Sequence, residues 1–187
     1  MVIAGVDEAG RGPLAGPVVA AVAILTQEQE KELVDMGLRD SKKMSPKLRE
    51  KVFLRMRRLG VIFRVVGVSA GEIDKTNILA ATLWAMGKAI SLLPFVPDCV
   101  LVDGNQKIPN LKTAQRTIIR GDDIYPQISA ASVVAKVLRD RAMCSYDKLY
   151  PGYGFSRHKG YGTLAHRKAL AELGPSPIHR RSFSWKL

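Results

Sequence analysis

Gly5-Val6-Asp7-Glu8-Ala9-Gly10-Arg11-Gly12-Pro13-Leu14-Ala15-Gly16-Pro17-Val18 places two acidic residues and a glycine-rich loop between two apolar runs. The first run, Val2 to Val6, is short and rich in β-branched residues and ends at Asp7, which predicts a buried strand. The second, Pro17 to Leu25, is rich in Val, Ala and Ile and predicts another. A connection of only a few residues makes two such strands antiparallel neighbours. Gly10-Arg11-Gly12 invites comparison with nucleotide-cofactor loops, and fails it. A dinucleotide fingerprint needs GxGxxG opening a helix. Here the third glycine comes one residue late, at Gly16, and Pro13 and Pro17 interrupt any helix. No GKS or GKT follows either. What remains is a loop whose bare backbone can approach a substrate closely, with one guanidinium at its centre.

Outward from this segment the pattern alternates. Gln27 to Gly37 reads as a helix, and Ser45-Pro46 supplies an N-cap and a first-turn proline for a second, ending near Leu59. On that helix Leu48, Val52, Phe53 and Met56 share a face, with Lys47, Arg49, Lys51, Arg55, Arg57 and Arg58 on the others. Val61 to Val68 is a third strand, Thr76 to Leu93 a helix, Cys99 to Val102 a strand ending at Asp103, and Thr117 to Ile119 a shorter strand ending near Gly121-Asp122. Ser129 to Leu149 reads as one long helix, Tyr150 to Tyr161 as a loop, and Leu164 to Leu173 as a final helix. The order predicts an α/β sheet covered by helices. No repeat, low-complexity segment or linker divides the 187 residues, so a single domain over 1–187 is expected.

Hydrophobic residues make up 47% and charged residues 25%, as in an ordinary globular protein, but 29 Lys and Arg against 17 Asp and Glu leave a net charge of +12. Such a field favours polyanions, nucleic acid first. Cys99 and Cys144 lack CxxC spacing and read as reduced core residues. The run from Leu14 to Leu25 is too short to span a bilayer. Asp7 and Glu8 stand where a signal peptide carries basic residues, so a cytoplasmic protein without a membrane partner is expected.

With acidic residues scarce, their placement is informative. Asp7-Glu8, Asp103 and Asp122-Asp123 each follow an apolar run, and strand ends are where α/β sheets gather ligands. Carboxylates brought together repel and raise one another's pKa values unless a cation neutralises them. Oxygen donors without nearby His or Cys suit Mg²⁺ or Mn²⁺ rather than zinc. On spacing alone, solvated strand-end caps are an equal alternative.

The quoted opening segment resembles the signature of the ribonuclease HII family, and further matches follow in the family's order. They are Asp40-Ser41-Lys42-Lys43-Met44-Ser45, Val102-Asp103-Gly104-Asn105, Gly121-Asp122, the run Ile128 to Asp140, Tyr153-Gly154-Phe155, His158 to Thr163, and His179-Arg180-Arg181-Ser182-Phe183. The resemblance spans essentially the whole chain. It implies a ribonuclease H-like mixed five-stranded sheet flanked by helices, with a small helical C-terminal extension. The activity implied is hydrolysis of the RNA strand of RNA–DNA hybrids and nicking of duplex DNA 5′ of an embedded ribonucleotide, leaving 3′-hydroxyl and 5′-phosphate ends. By position the family's metal-binding carboxylates fall on Asp7, Glu8, Asp103 and Asp122. The Gly-Asp pattern selects Asp122 over Asp123. Asp7 and Asp103 are the residues expected to touch more than one of two cations, roughly 3.5–4 Å apart. The family's ribonucleotide-contacting loop falls on Gly10, Arg11 and Gly12. Its junction-sensing tyrosine falls on Tyr161, in preference to Tyr153.

Other residues are read from their own chemistry. Lys42 and Lys43 either reach phosphates or form a solvated surface. His158, His166 and His179 are too dispersed along the chain for a metal site or a triad, though His158 could meet a phosphate. Arg180-Arg181, with Lys186, is expected to extend the duplex-binding surface. Trp84 is expected in the core, and Trp185 in packing or at the substrate. Ser182 to Leu187 shows no clamp-binding tail, and a monomer is expected. If about five phosphates are neutralised, affinity should fall with salt on a log–log slope of roughly −4 to −5. Two rivals remain. Ribonuclease HIII-like enzymes typically carry lysine where Arg11 stands and an additional N-terminal domain, whereas one residue precedes the first strand here. A basic nucleic-acid-binding module would not cleave at all.

Overall fold

The computed structural model describes residues 1–185. Its strands are β1 (Ile3–Ala9), β2 (Val18–Ile24), β3 (Ile62–Val68), β4 (Cys99–Asp103) and β5 (Ala114–Ile118). The helices are α1 (Gln27–Asp35), α2 (Pro46–Arg58), α3 (Ala70–Lys75), α4 (Ile78–Ser91), α5 (Pro126–Leu149), α6 (Phe155–His158) and α7 (Leu164–Leu173). Single 3₁₀ turns occupy Ser41–Lys43 and Gly121–Asp123. Local chemistry sets several boundaries. Ser45 caps α2 by accepting from Leu48 N–H with Pro46 in the first turn, and Thr26 with Gln29 forms a capping box on α1.

One five-stranded sheet runs in the order β3-β2-β1-β4-β5. β1 pairs antiparallel with β2, and β2 with β3; β4 lies parallel to β1, and β5 to β4. β1 is therefore the hinge between an antiparallel and a parallel half. The C-terminal ends of β1, β4 and β5 open on one edge. Helices cover both faces of the sheet, which is why its central strands read as unbroken apolar runs. Val19, Ala21 and Ala23 pack with Val133 and Val134 of α5 and with Phe53 and Met56 of α2. On the other face Ala4, Val6, Val22 and Val102 pack with Ala85, Met86 and Ala89 of α4. Gly5 admits α5 closely, since a Cβ there would lie 2.2 Å from the Gln127 carbonyl carbon. A third cluster of Ala15, Met143, Tyr153, Phe155, Leu170 and Ile178 docks the C-terminal segment against α5 and the loop after β1.

Several expectations shift. β1 continues through Asp7 and Glu8 to Ala9 instead of stopping at Val6, because pairing with β2 extends to Ala9↔Val19. β5 lies three residues earlier than expected at its start, since an edge strand pairs through backbone and needs no apolar run. α3 and the single-turn α6 fall in stretches too short for periodicity to mark. Trp84 is 60% exposed, not core, and Cys144 is exposed. Arg180 is fully buried, so it is not part of the duplex-binding surface; Arg181 beside it is exposed. Lys186 lies outside the described residues, as does the end of the segment read for a clamp-binding tail. No described helix is long and apolar enough to cross a membrane.

Candidate metal centre and substrate loop

Strand register builds the acidic cluster. Val6 pairs with Val102 in parallel register, so Asp7 and Asp103, one residue on, reach the same edge and share a face. From β5 the chain turns at Arg120, whose backbone is left-handed (φ 56°), into the 3₁₀ turn that carries Asp122. Carboxylate oxygens of Asp7, Asp103 and Asp122 lie within 4.8 Å of one another. Asp7 and Asp122 are buried and Asp103 is partly exposed. Ser129 of α5 donates to the Asp122 carbonyl (2.7 Å), and Gly121 N–H donates to Asp103 Oδ1 (2.8 Å).

Glu8 points elsewhere. Adjacent strand residues alternate faces, so its carboxylate turns toward α4, into a cleft lined by Arg11, Thr82, Met86, Asp103 and Asn105. There it pairs with Arg11 at 3.5 Å. Asp123 is exposed and falls outside the Asp7–Asp103–Asp122 set, and its carboxylate binds Lys43 Nζ at 2.6 Å. Asp40, which sequence reasoning did not single out, lies within 4.8 Å of Asp122 and Asp123. It accepts from Lys42 N–H (2.8 Å) at the start of the Ser41–Lys43 turn. Its position just before that turn was the available signal.

The charges strain one another. Burial, followed by the charges of Glu8 and Asp103, pushes Asp7 well above the usual carboxylate range. Burial with Asp103 and Asp40 raises Asp122 to about 6. Burial also raises Glu8, against the pull of Arg11. Burial alone would lower Lys42; the facing Asp7, Asp122, Asp40 and Asp103 outweigh it and raise its pKa, with Nζ 3.9 Å from Asp122. A set of oxygen donors with no His or Cys among them fits a hard divalent cation, whose charge would offset this repulsion.

Beside the cluster runs the glycine loop. Gly10 has φ +96°, and a Cβ there would fall 1.9 Å from Arg139 Nε, so only glycine fits. Arg11 and Gly12 are exposed. Tyr161, 45% exposed, lies alongside, its Cε1 3.8 Å from where a Gly12 Cβ would stand. Tyr153 instead is buried, donates from its hydroxyl to Gly174 O (2.7 Å) and stacks on Phe155.

Under Tyr161 the fold assembles the three histidines that lie apart in sequence. His158 and His166 stack at 4.3 Å between centroids, and His166 and His179 meet Nε2 to Nε2 at 3.0 Å. Their neighbours set the tautomers. His179 Nδ1 accepts from Ser176 N–H (2.9 Å), so its Nε2 donates to His166. His166 Nδ1 then donates to the Tyr161 carbonyl (2.9 Å). His158 Nδ1 accepts from Gly160 N–H (3.2 Å) and its Nε2 donates to Tyr153 O (2.7 Å), leaving no ring nitrogen for a phosphate. Burial lowers His166, and burial with the neighbouring His166 lowers His179 to about 4. Through these hydrogen bonds the trio ties down the Tyr161 turn.

Known proteins resemble this chain in sequence and in fold. Residues 4–186 match the family model described as Ribonuclease HII. Ribonuclease HII of Acaryochloris marina is 51% identical over 182 residues, covering 97% of this chain and 92% of the relative. That of Syntrophotalea carbinolica is 52% identical, covering 97% and 84%. The ribonuclease H2 structure from Pyrococcus horikoshii OT3 matches with TM-score 0.81 at 29% identity, covering 99% of this chain and 95% of that one. A ribonuclease HII from Archaeoglobus fulgidus, solved in complex with PCNA, matches with TM-score 0.84 at 27% identity, covering 100% and 96%. Bst-RNase HIII, solved with Mn²⁺, shares the fold (TM-score 0.79) at 14% identity, and the match takes in 68% of its chain. By sequence and by fold, this chain belongs to the ribonuclease HII family: it is a metal-dependent endoribonuclease that hydrolyses the RNA strand of RNA–DNA hybrids.

Proposed function

We propose that the enzyme also nicks duplex DNA on the 5′ side of a single embedded ribonucleotide, leaving 3′-hydroxyl and 5′-phosphate ends. The observation that carries this reading is the adjacency of the three-carboxylate cluster to an exposed glycine loop. Asp7, Asp103 and Asp122 would hold the cations, with Asp7 and Asp103 the candidates to serve more than one and Glu8 adding a carboxylate from the α4 side. Mg²⁺ or Mn²⁺, when bound, activates water and neutralises charge at the scissile phosphate. Lys42 adds a cation at the rim of the cluster. The Gly10-Arg11-Gly12 backbone contacts the 2′-hydroxyl, the group that separates RNA from DNA. Tyr161 packs on the deoxyribose that follows. The surplus of basic residues holds phosphates without reading sequence. The protein works as one domain and as a monomer, in the cytoplasm.

Mapping the cut tests this. On an end-labelled duplex with one central ribonucleotide, a single Mg²⁺- or Mn²⁺-dependent nick 5′ of that residue is expected, abolished by EDTA. Cleavage on its 3′ side, or scattered cuts, would overturn the assignment.

A further inference from the structure

Among the described residues Arg180 and Arg139 are the two largest fully buried side chains, and neither pairs with a carboxylate within 4.0 Å. Two like charges buried side by side destabilise a fold, and well-packed apolar residues of similar size are often the more stable choice. Their donors go to backbone carbonyls. Arg139 spans Pro17 O (2.9 Å), Lys159 O (3.0 Å) and Ala15 O (3.1 Å). Arg180 reaches Gly16 O through Nε (3.0 Å), Arg11 O through Nη1 (2.9 Å) and Gly10 O through Nη2 (2.5 Å). Its own N–H donates to Leu14 O (2.8 Å), and the Phe183 ring lies 5.0 Å from its guanidinium carbon. Burial, reinforced by Arg139, lowers Arg180 to about 9, which still leaves it charged at neutral pH.

The consequence follows from peptide geometry. No peptide bond here is cis, and in a trans peptide C=O and N–H point in opposite directions. Drawing the Gly10 and Arg11 carbonyls onto a buried guanidinium turns the N–H groups of Arg11 and Gly12 the other way. Both residues are exposed, and neither N–H meets a protein acceptor among the described residues. We infer that Arg180 is a positioning residue for sugar selectivity, its rigid fork fixing two peptide planes so that the Arg11 and Gly12 N–H groups face the ribose oxygen. This rests on the proposed contact between the loop and the 2′-hydroxyl. A guanidinium fork is suited to the task because its donors are fixed in one plane; a lysine ammonium carries its three donors on one point at the end of a flexible stem and does not hold separate peptide planes in a fixed relation. The substrate thereby meets donors already aimed, which lowers the ordering cost of binding.

The test compares anisotropy titrations in EDTA, where nothing is cut, on a duplex bearing one ribonucleotide and on its all-DNA counterpart. For Arg180→Lys, the preference for the ribonucleotide duplex should fall at least about tenfold while affinity for the all-DNA duplex stays within about twofold. A merely structural role would lower the melting temperature and weaken both duplexes in parallel, and that result overturns the inference. If the wild type binds both duplexes equally, the loop contact itself fails. If the wild type discriminates and Arg180→Lys discriminates equally, only the role of Arg180 falls. Should the variant not fold, ¹H–¹⁵N spectra of the wild type decide. The Arg11 and Gly12 amides should shift with the ribonucleotide duplex and not with DNA, and the Arg180 Nε–H should exchange at least about 100-fold more slowly than in free arginine. An Nε–H exchanging at the free rate, or amides that respond alike to both duplexes, would overturn the proposal.

Discussion

Asp103→Asn separates what the acidic cluster costs the fold from what it supplies to the reaction. Asp103 accepts from Gly121 N–H through Oδ1, and asparagine keeps a carbonyl oxygen there, so the substitution removes charge with little change in shape. Its charge is among the causes that raise Asp7, Glu8 and Asp122. For Asp122 the rise from 3.8 to about 6 corresponds to about 3 kcal/mol. Burial is the larger cause and Asp40 also contributes, so Asp103 accounts for about 1 kcal/mol. Relief at Asp7 acts in the same direction, so the expected stabilisation in EDTA is at least about 1 kcal/mol, or roughly 2–4 °C in melting temperature for a domain of this size. In saturating Mg²⁺ the order should reverse or narrow, because ligand binding stabilises the wild type more. Turnover should fall at least about a thousandfold, since withdrawing several kcal/mol of charge stabilisation from the transition state has that effect. Calorimetric melts in EDTA and in Mg²⁺, with single-turnover cleavage of a hybrid, measure all three. A variant destabilised in EDTA by more than about 1 kcal/mol would show that Asp103 does not repel its neighbours as described, and one cleaving within tenfold of wild type that it does not serve the reaction as described.

Three further outcomes are expected. Tyr161→Ala should slow cleavage of single-ribonucleotide DNA more than that of long hybrids, as compared by kcat/KM; a larger loss on hybrids would move junction sensing to another residue. Gly10→Ala, whose methyl meets Arg139 Nε in a left-handed backbone, should cost about 3 kcal/mol in urea unfolding, and a loss under about 1 kcal/mol would mean the loop yields easily. His179 is buried and neutral with its pKa lowered from 6.5 to about 4, so between those values the unfolded chain binds the extra proton. Its contribution is full above about pH 6.5 and is lost as the pH falls through about 4. The wild type should lose about 3 kcal/mol more over that window than His179→Gln, and parallel urea-midpoint curves would show that His179 is not the source.

Much of this was legible from local pattern. Apolar runs marked the sheet, Ser45-Pro46 marked the start of α2, and the short connection between β1 and β2 set their antiparallel pairing. The α4 helix also shows its periodicity, yet that outline does not say which residues the sheet covers, and Trp84 lies outside the covered face. What sequence spacing could not show is tertiary. His158, His166 and His179 come together only when the C-terminal segment folds back on α5. Arg180 looked like surface charge beside Arg181, because a basic residue satisfied by carbonyls 164 to 170 positions away leaves no local trace. The approach of Asp40 to Asp122 likewise depends on the docking of a turn far along the chain.

Chemistry and sugar recognition meet, on this reading, between Asp7 and Gly12. This is tested most directly by initial rates on two otherwise identical DNA duplexes in Mg²⁺, one with a single ribonucleotide and one with none. Cleavage of the first at the ribonucleotide, with no detectable cleavage of the second, is predicted. Equal rates on both would contradict 2′-hydroxyl recognition, and no cleavage of the ribonucleotide duplex would contradict the proposed nicking activity.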